Sequence, residues 1–169
     1  HERQLELLDR QQDNSLAIAS HMANVIFDRQ VNFCEAYFEK AHAILQKLFS
    51  TGPTKEAVKY ADDLKTIRTS FSPWISQEIE AGLLPFEKAL RQMGASAQIA
   101  DMRLSQIEHG LFVQRMYDTF INISGISEPL EGDSPEEAVS SIIKHLRKVM
   151  GIIELTTLRN QAISLATIH

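Results

Sequence analysis

The chain of 169 residues has little of what marks special chemistry or a special location. It contains one cysteine, so no disulfide can form within a single chain. No apolar run approaches the roughly 18 residues of a membrane-spanning helix. Lys and Arg number 17 against 22 acidic residues, so the basic excess typical of nucleic-acid-binding proteins is missing. We therefore predict no nucleic-acid partner.

Glycine and proline are both absent from residues 1–51. Apolar residues recur there in steps of three and four, which is the pattern of an amphipathic helix. These residues, here named the apolar seam, are Leu5, Leu8, Ala19, Met22, Ile26, Phe33, Tyr37, Ala41, Ile44 and Leu48. We predict one helix over residues 2–50, about 70 Å long. Its seam is polar between Gln11 and Asn14.

The first strong helix breaker is the segment from Thr51 to Thr54. Gly52 is typical of a helix C-terminus and Thr54 of an N-cap, so we predict a second helix over residues 54–93. Proline removes a backbone donor, and Ser72-Pro73 therefore predicts a kink or restart in this helix. Further breakers in the same helix are Gly82 and Pro85.

Two more helices are predicted in the second half of the chain. Gly94-Ala-Ser96 predicts a tight turn and a third helix over residues 96–124. Ser134, Pro135 and the two glutamates after them are typical of a helix start, so we predict a fourth helix over residues 134–168. No segment alternates as a strand does. The sequence therefore predicts a single all-α domain over residues 1–169, an antiparallel bundle of about four long helices with a proline-kinked second helix.

Motifs for metal binding and catalysis are weak. Glu39 and His42 have the E-x-x-H spacing of di-iron bundles, but such a site needs two of these motifs, and no other histidine follows a glutamate by three residues. Cys34 lies beside Phe33 without neighbouring cations, which is typical of a buried apolar residue. No phosphate-binding loop, dinucleotide fingerprint or nucleophile elbow occurs. We predict no catalytic residue, no metal, no cofactor and no enzymatic activity.

Two groups of residues are candidate binding sites. Lys144, His145, Arg147 and Lys148 form a compact basic patch on the fourth helix. One interpretation is a surface for anionic headgroups or an acidic partner segment, and the other is a solvated stripe facing Glu136 and Glu137. The second group would be the wall of a ligand pocket near the predicted kink, formed by Phe71, Trp74 and Phe86.

Two classes of function remain open. The first is a non-catalytic interaction or scaffold module that forms a homodimer and binds a membrane, a lipid body or a partner protein. It follows from the length of the first helix, because shorter helices of the same chain cannot cover all of its seam. In helix length and spacing the chain resembles BAR domains, which dimerise through long kinked helices, and phasins, which coat polymer granules. It matches neither family by motif.

The second class is an extracytoplasmic four-helix sensory domain of a membrane receptor, which binds a ligand between its helices. The ligand pocket near the predicted kink belongs to this alternative. The scaffold class predicts a cytoplasmic location, and the sensory class predicts a periplasmic or other extracytoplasmic one.

Overall fold

The computed structural model describes residues 2–100, 109–124 and 134–152. All regular structure within these residues is helical, which confirms the all-α prediction. The helices are α1 (Glu2–Thr51), α2 (Ala57–Ser70), α3 (Gln77–Ala100), α4 (His109–Ser124) and α5 (Pro135–Val149), with one turn of 3-10 helix at Ser72–Trp74.

Helix α1 is continuous over 50 residues, as predicted, and is about 75 Å long. It ends at Thr51, and the next residue, Gly52, has a φ of 104°. The Gly52 N–H donates to the Leu48 carbonyl oxygen at 2.8 Å. Glycine adopts this left-handed conformation without the steric cost of a Cβ atom, so the predicted C-terminus of α1 is confirmed.

The predicted second helix is two separate helices in the structure. Helix α2 ends at Ser70, Pro73 lies in the 3-10 turn, and α3 begins at Gln77. Gly82 and Pro85, by contrast, both lie inside α3, which continues past them. The chain therefore restarts at Pro73, and the expected disturbance at the two later breakers does not end the helix.

The tight turn predicted at Gly94 to Ser96 is wrong, because α3 continues to Ala100. The reason for a glycine here is close packing. A Cβ atom on Gly94 would lie 2.6 Å from Val58 Cγ2 and 2.7 Å from the Val58 backbone nitrogen. Gly94 thus marks the point where α3 passes close to α2. Of the predicted helix over residues 96–124, residues 109–124 form α4, and residues 101–108 lie outside the described part of the chain.

Helix α5 begins at Pro135 as predicted, but Ser134 does not cap it through its side chain. The Ser134 hydroxyl donates instead to Glu136 Oε2 at 2.6 Å. The helix ends at Val149, and Gly151 has a φ of 65°, so the predicted helix over residues 134–168 is interrupted there. Residues 153–169 lie outside the described part of the chain.

Ion pairs fix the relative directions of the first three helices. In each helix pair the residue numbers rise along one helix as they fall along the other. Helix α2 is therefore antiparallel to α1, and α3 is antiparallel to α2. The pairs are Lys40–Asp63 between α1 and α2, Lys47–Glu56 between α1 and the residue before α2, and Arg68–Glu87 and Arg91–Asp62 between α2 and α3.

Aromatic side chains fill much of the core. The Phe120 ring of α4 stacks on the Phe86 ring of α3, with centroids 5.4 Å apart, and on the Phe49 ring of α1, with centroids 6.2 Å apart. The first residue of α1 to be buried is Phe33. The C-terminal part of α1 is therefore the only part of this helix that belongs to the core.

Candidate functional site

The N-terminal part of α1 extends away from the other described helices. Every residue from Arg3 to Asn24 is exposed, and partial burial begins at Val25. We call residues 3–26 the projecting segment. At about 1.5 Å per residue it is about 35 Å long, roughly half of the helix.

Large apolar side chains on the projecting segment are exposed to solvent. Their exposed fractions are 51–65% for Leu5, Leu7, Leu8, Leu16, Ile18 and Met22, and 38% for Ile26. Steps of three and four residues keep the apolar seam on one face of the helix. That face is buried by the bundle from Phe33 onward and uncovered before Ile26. An exposed patch of this kind is typical of an interaction site.

The projecting segment has little support from its own side chains. Within residues 3–26 no ion pair is formed, and the side-chain hydrogen bond present joins the Ser15 hydroxyl to the Gln11 carbonyl oxygen at 2.8 Å. Isolated helices are only marginally stable in water, and most helix stability in proteins comes from packing an apolar face. A partner that covers the seam would supply that packing.

The predicted basic patch lies on α5 and at the edge of a groove. Lys144 and Arg147 line a groove of about 730 Å³ between α1 and α5, whereas His145 and Lys148 do not. The Arg147 guanidinium lies 5.0 Å from the centre of the Phe38 ring. Half-burial lowers the pKa of His145, and the nearby Lys148 lowers it further. Lys144, Arg147 and Lys148 are exposed, and His145 is half-buried.

The groove itself offers little apolar surface to a ligand. Of the apolar side chains that line it, Phe49, Val139 and Ile143 are already buried in the bundle, and Pro135 is half-buried. Hydrophobic stabilisation is proportional to the apolar area removed from water, so a ligand in this groove would gain little from them. The projecting segment is consequently the stronger candidate for a binding surface.

The three aromatic residues of the predicted pocket wall lie in different surroundings. Phe71 is half-buried, Trp74 is half-buried, and Phe86 is in the core. They do not line the groove between α1 and α5. Their neighbours are the Phe33 ring at 5.7 Å for Phe71, the Arg29 guanidinium at 5.8 Å for Trp74, and the Phe120 ring for Phe86.

The E-x-x-H motif and the cysteine lie in ordinary helical surroundings. The His42 ring stacks on the Phe38 ring at a centroid distance of 6.2 Å. In the described part of the chain, no three His, Cys, Asp or Glu side chains are grouped so that they could hold a metal ion. Cys34 is buried, and burial together with Glu35 raises the pKa of its thiol to about 11. The nucleophilic thiolate is therefore scarce at neutral pH.

A buried polar network lies where α1, α2 and α3 meet. Arg68 and Glu87 are 7% and 3% exposed. Arg68 Nε donates to Glu87 Oε1 at 2.8 Å, and Arg68 Nη2 donates to Glu87 Oε2 at 3.1 Å. The Tyr37 hydroxyl donates to Glu87 Oε1 at 3.3 Å. A fourth residue, Glu80, accepts from Arg68 Nη1 at 3.4 Å.

This network was not predicted, although the sequence contains a signal for it. Arg68 follows Leu64 by four residues and Glu87 follows Leu83 by four, so each charge lies on the apolar face of its helix. Burial, followed by the Glu87 charge, raises the pKa of Tyr37 well above its usual range. The buried polar groups are hydrogen-bonded to one another, so the network is a structural link between the three helices.

Comparison of the chain with protein-family models, with curated proteins and with solved structures gave no match. Among the helices of the described residues, none has the length and apolar character required to cross a membrane.

Proposed function

We propose that this chain is a non-catalytic helical interaction module that self-associates through the projecting segment of α1. The observation that supports it is the apolar seam, which is covered by the chain's own helices after Phe33 and uncovered before Ile26. In this proposal the C-terminal part of α1 packs with the helices α2 to α5 in a helical bundle that acts as a rigid head. The projecting segment extends from this head as the contact surface.

The seam carries four large apolar side chains that are exposed to water. Leu5, Leu8 and Met22 are each more than half exposed, and Ile26 is 38% exposed. A second helix that covers them would remove this apolar area from water, and the stabilisation is proportional to the area buried.

The charge of the projecting segment favours a protein partner over an anionic membrane. Its basic residues are Arg3 and Arg10, and its acidic residues are Glu6, Asp9 and Asp13. Helices that bind anionic lipid surfaces are rich in Lys and Arg on their polar face. A segment without this excess lacks the electrostatic attraction to a lipid surface, whereas a second helix can bury the seam without it.

The sensory-domain alternative requires Phe71, Trp74 and Phe86 to share a ligand pocket. Their separate surroundings give this alternative no support. The interaction module is therefore the function that the geometry supports better.

Light scattering at tens of micromolar tests the proposal. The expected mass is twice the chain mass of 19.1 kDa. Leu8→Glu places a charge on the seam and should give a monomer. The matched control is Leu7→Glu, because Leu7 is 61% exposed against 60% for Leu8 but lies about 100° around the helix. A monomeric mass for the unmodified chain, or equal dissociation by both variants, would contradict the proposal.

A further inference from the structure

We propose that the groove between α1 and α5 binds a phosphorylated molecule, whose phosphate group is held by Lys144 and Arg147 beside His42. The groove lies on the head and not on the projecting segment, so this inference goes beyond the proposed self-association and does not depend on it. The volume of the groove, about 730 Å³, is within the range of small-molecule sites in proteins.

The part of the groove lining that water can reach is largely polar. The apolar side chains Phe49, Val139 and Ile143 are buried beneath it. A ligand in the groove therefore gains little from apolar contact, and its affinity has to come from hydrogen bonds and charge. The side chains that offer hydrogen-bond donors along the groove are His42, Gln46, Ser50, Ser140, Lys144 and Arg147.

The spacing on α5 places two cations at the same side of the helix. Ser140, Lys144 and Arg147 follow one another in steps of four and three, and all three line the groove. Lys148 lies about 100° further around the helix and does not line it. A phosphate monoester carries a charge of about −1.5 to −2 at pH 7 and three acceptor oxygens, whereas a carboxylate carries a single charge. Two adjacent cations therefore match a phosphate group better than a carboxylate.

The Phe38 ring holds Arg147 at the edge of the groove. The guanidinium lies over this ring at 5.0 Å from its centre. Within the described part of the chain, no carboxylate forms an ion pair with Arg147. A guanidinium positioned by an aromatic ring keeps N–H groups that can donate to a phosphate in a bidentate manner. Arg147 is thus held in place without a partner of opposite charge.

His42 contacts the same aromatic ring from α1. Its imidazole stacks on the Phe38 ring with an angle of 22° between the ring planes. Because His42 and Arg147 both contact Phe38, they lie at the same end of the groove, one on each helix. Donors that are fixed before a ligand arrives lose less conformational freedom on binding. We call His42, Lys144 and Arg147 the cationic end of the groove.

Acidic residues do not offset the charge of the cationic end. Of the described residues that line the groove, the acidic one is Glu136, which is 11 residues from Arg147 and so about 16 Å away along α5. Its carboxylate accepts a hydrogen bond from the Ser134 hydroxyl at 2.6 Å. Glu35 and Glu39, on the same part of α1 as Phe38, do not line the groove.

Titration of the ¹⁵N-labelled chain with glycerol 3-phosphate tests the site. The amide signals of Ser140 and Gln46 should shift and reach saturation. Arg147→Gln should weaken the binding at least about tenfold, because it removes a charge-assisted donor pair. Lys144→Gln leaves Arg147 on Phe38 and should weaken binding as well. The matched control is Lys148→Gln, which removes the same charge outside the groove and should change the affinity less than about twofold.

Two further ligands identify the source and the chemistry of the bound group. Vesicles of phosphatidylcholine containing phosphatidic acid present the same phosphomonoester on a lipid. Sedimentation with these vesicles that is lost in Arg147→Gln and kept in Lys148→Gln, without binding of glycerol 3-phosphate, would assign the phosphate to a lipid headgroup. Saturable binding of glycerol 3-phosphate would assign it to a soluble molecule.

Glycerate, which carries a carboxylate in place of the phosphate, should bind at least about tenfold more weakly than glycerol 3-phosphate, because its single charge leaves one cation unmatched. Equal affinity for glycerate and glycerol 3-phosphate would overturn the inference. Equal losses in Arg147→Gln and Lys148→Gln would also overturn it, since the attraction would then come from the general charge of α5. The absence of saturable binding to both the soluble phosphate and the vesicles would overturn it too.

Discussion

The Arg68 guanidinium donates two hydrogen bonds to the Glu87 carboxylate, at 2.8 and 3.1 Å, and joins α2 to α3 inside the bundle. This fork-to-carboxylate arrangement is the strongest geometry available to an ion pair. Burial makes each partner dependent on the other, because a charge left alone in the core has no water to solvate it.

Removing one partner of this pair should destabilise the folded chain strongly. We expect Arg68→Met to lower the free energy of unfolding by about 3–5 kcal/mol, since it leaves Glu87 buried and unpaired. The double variant Arg68→Met, Glu87→Met should lose less than Arg68→Met alone. The matched control is Arg91→Met, which breaks the exposed pair with Asp62 and should cost about 1 kcal/mol or less. Urea unfolding measures all three, and equal losses for Arg68→Met and Arg91→Met would contradict the buried pairing.

The two glycines inside α3 should differ in whether a second substitution restores the stability that an alanine at their position removes. We expect Gly82→Ala and Gly94→Ala each to cost about 1–3 kcal/mol from overpacking. The added Cβ at position 82 meets Val149 Cγ1 at 2.5 Å, so truncating that side chain with Val149→Ala should relieve it. At position 94 the Cβ also meets the Val58 backbone nitrogen at 2.7 Å, which Val58→Ala leaves in place.

Double-mutant cycles in denaturant measure this difference as a coupling energy. The coupling should be large for Gly82 with Val149 and small for Gly94 with Val58. The reverse order would show that α3 does not approach the α2 backbone closely at Gly94.

The Cys34 thiol should be almost unreactive in the folded chain. Its pKa is raised from 9.0 to about 11, first by burial and then by Glu35, so at pH 8 the thiolate fraction is about 100-fold lower than in the unfolded chain. A thiol-specific chromogenic reagent should label the Cys34 thiol at least about 100-fold more slowly in the folded chain than in denaturant. A raised folded pKa also means that this group's contribution to stability is complete below pH 9 and is lost as the pH rises through about 11. Rapid labelling of the folded chain would show that the Cys34 thiol is accessible to solvent.

His145 should make the bundle sensitive to acid. Its pKa is lowered from 6.5, first by burial and then by Lys148. The unfolded chain therefore takes up this proton at a higher pH than the folded chain, so stability is full above pH 6.5 and falls as the pH drops through the folded pKa. NMR titration of the imidazole should show this low pKa, and Lys148→Gln should raise it. His145→Gln should reduce the loss of stability below pH 6.5, and an unchanged pH dependence in that variant would assign the acid sensitivity to other groups.

Features that depend on residues close in sequence were determined by the sequence itself. The continuity of α1 follows from the absence of glycine and proline before Gly52, and its end follows from the left-handed φ that glycine adopts there. The start of α5 at Pro135 is local in the same way. The periodicity of the apolar seam also identified the face of α1 that has to be covered.

The tertiary structure decided what covers each face and which residues meet. Gly94 has the local character of a turn, and its place inside α3 depends on Val58, which is 36 positions earlier in the chain. The partners Arg68 and Glu87 are 19 positions apart, and neither position alone identifies the other. The boundary between the covered and the uncovered part of the seam is likewise absent from its periodicity, because steps of three and four residues occur on both sides of Phe33 and the polar interruption at Gln11 to Asn14 lies far from that boundary. Helix periodicity depends on neighbours three or four residues apart, whereas burial depends on how α2 and α5 pack along α1, and they reach only its C-terminal part.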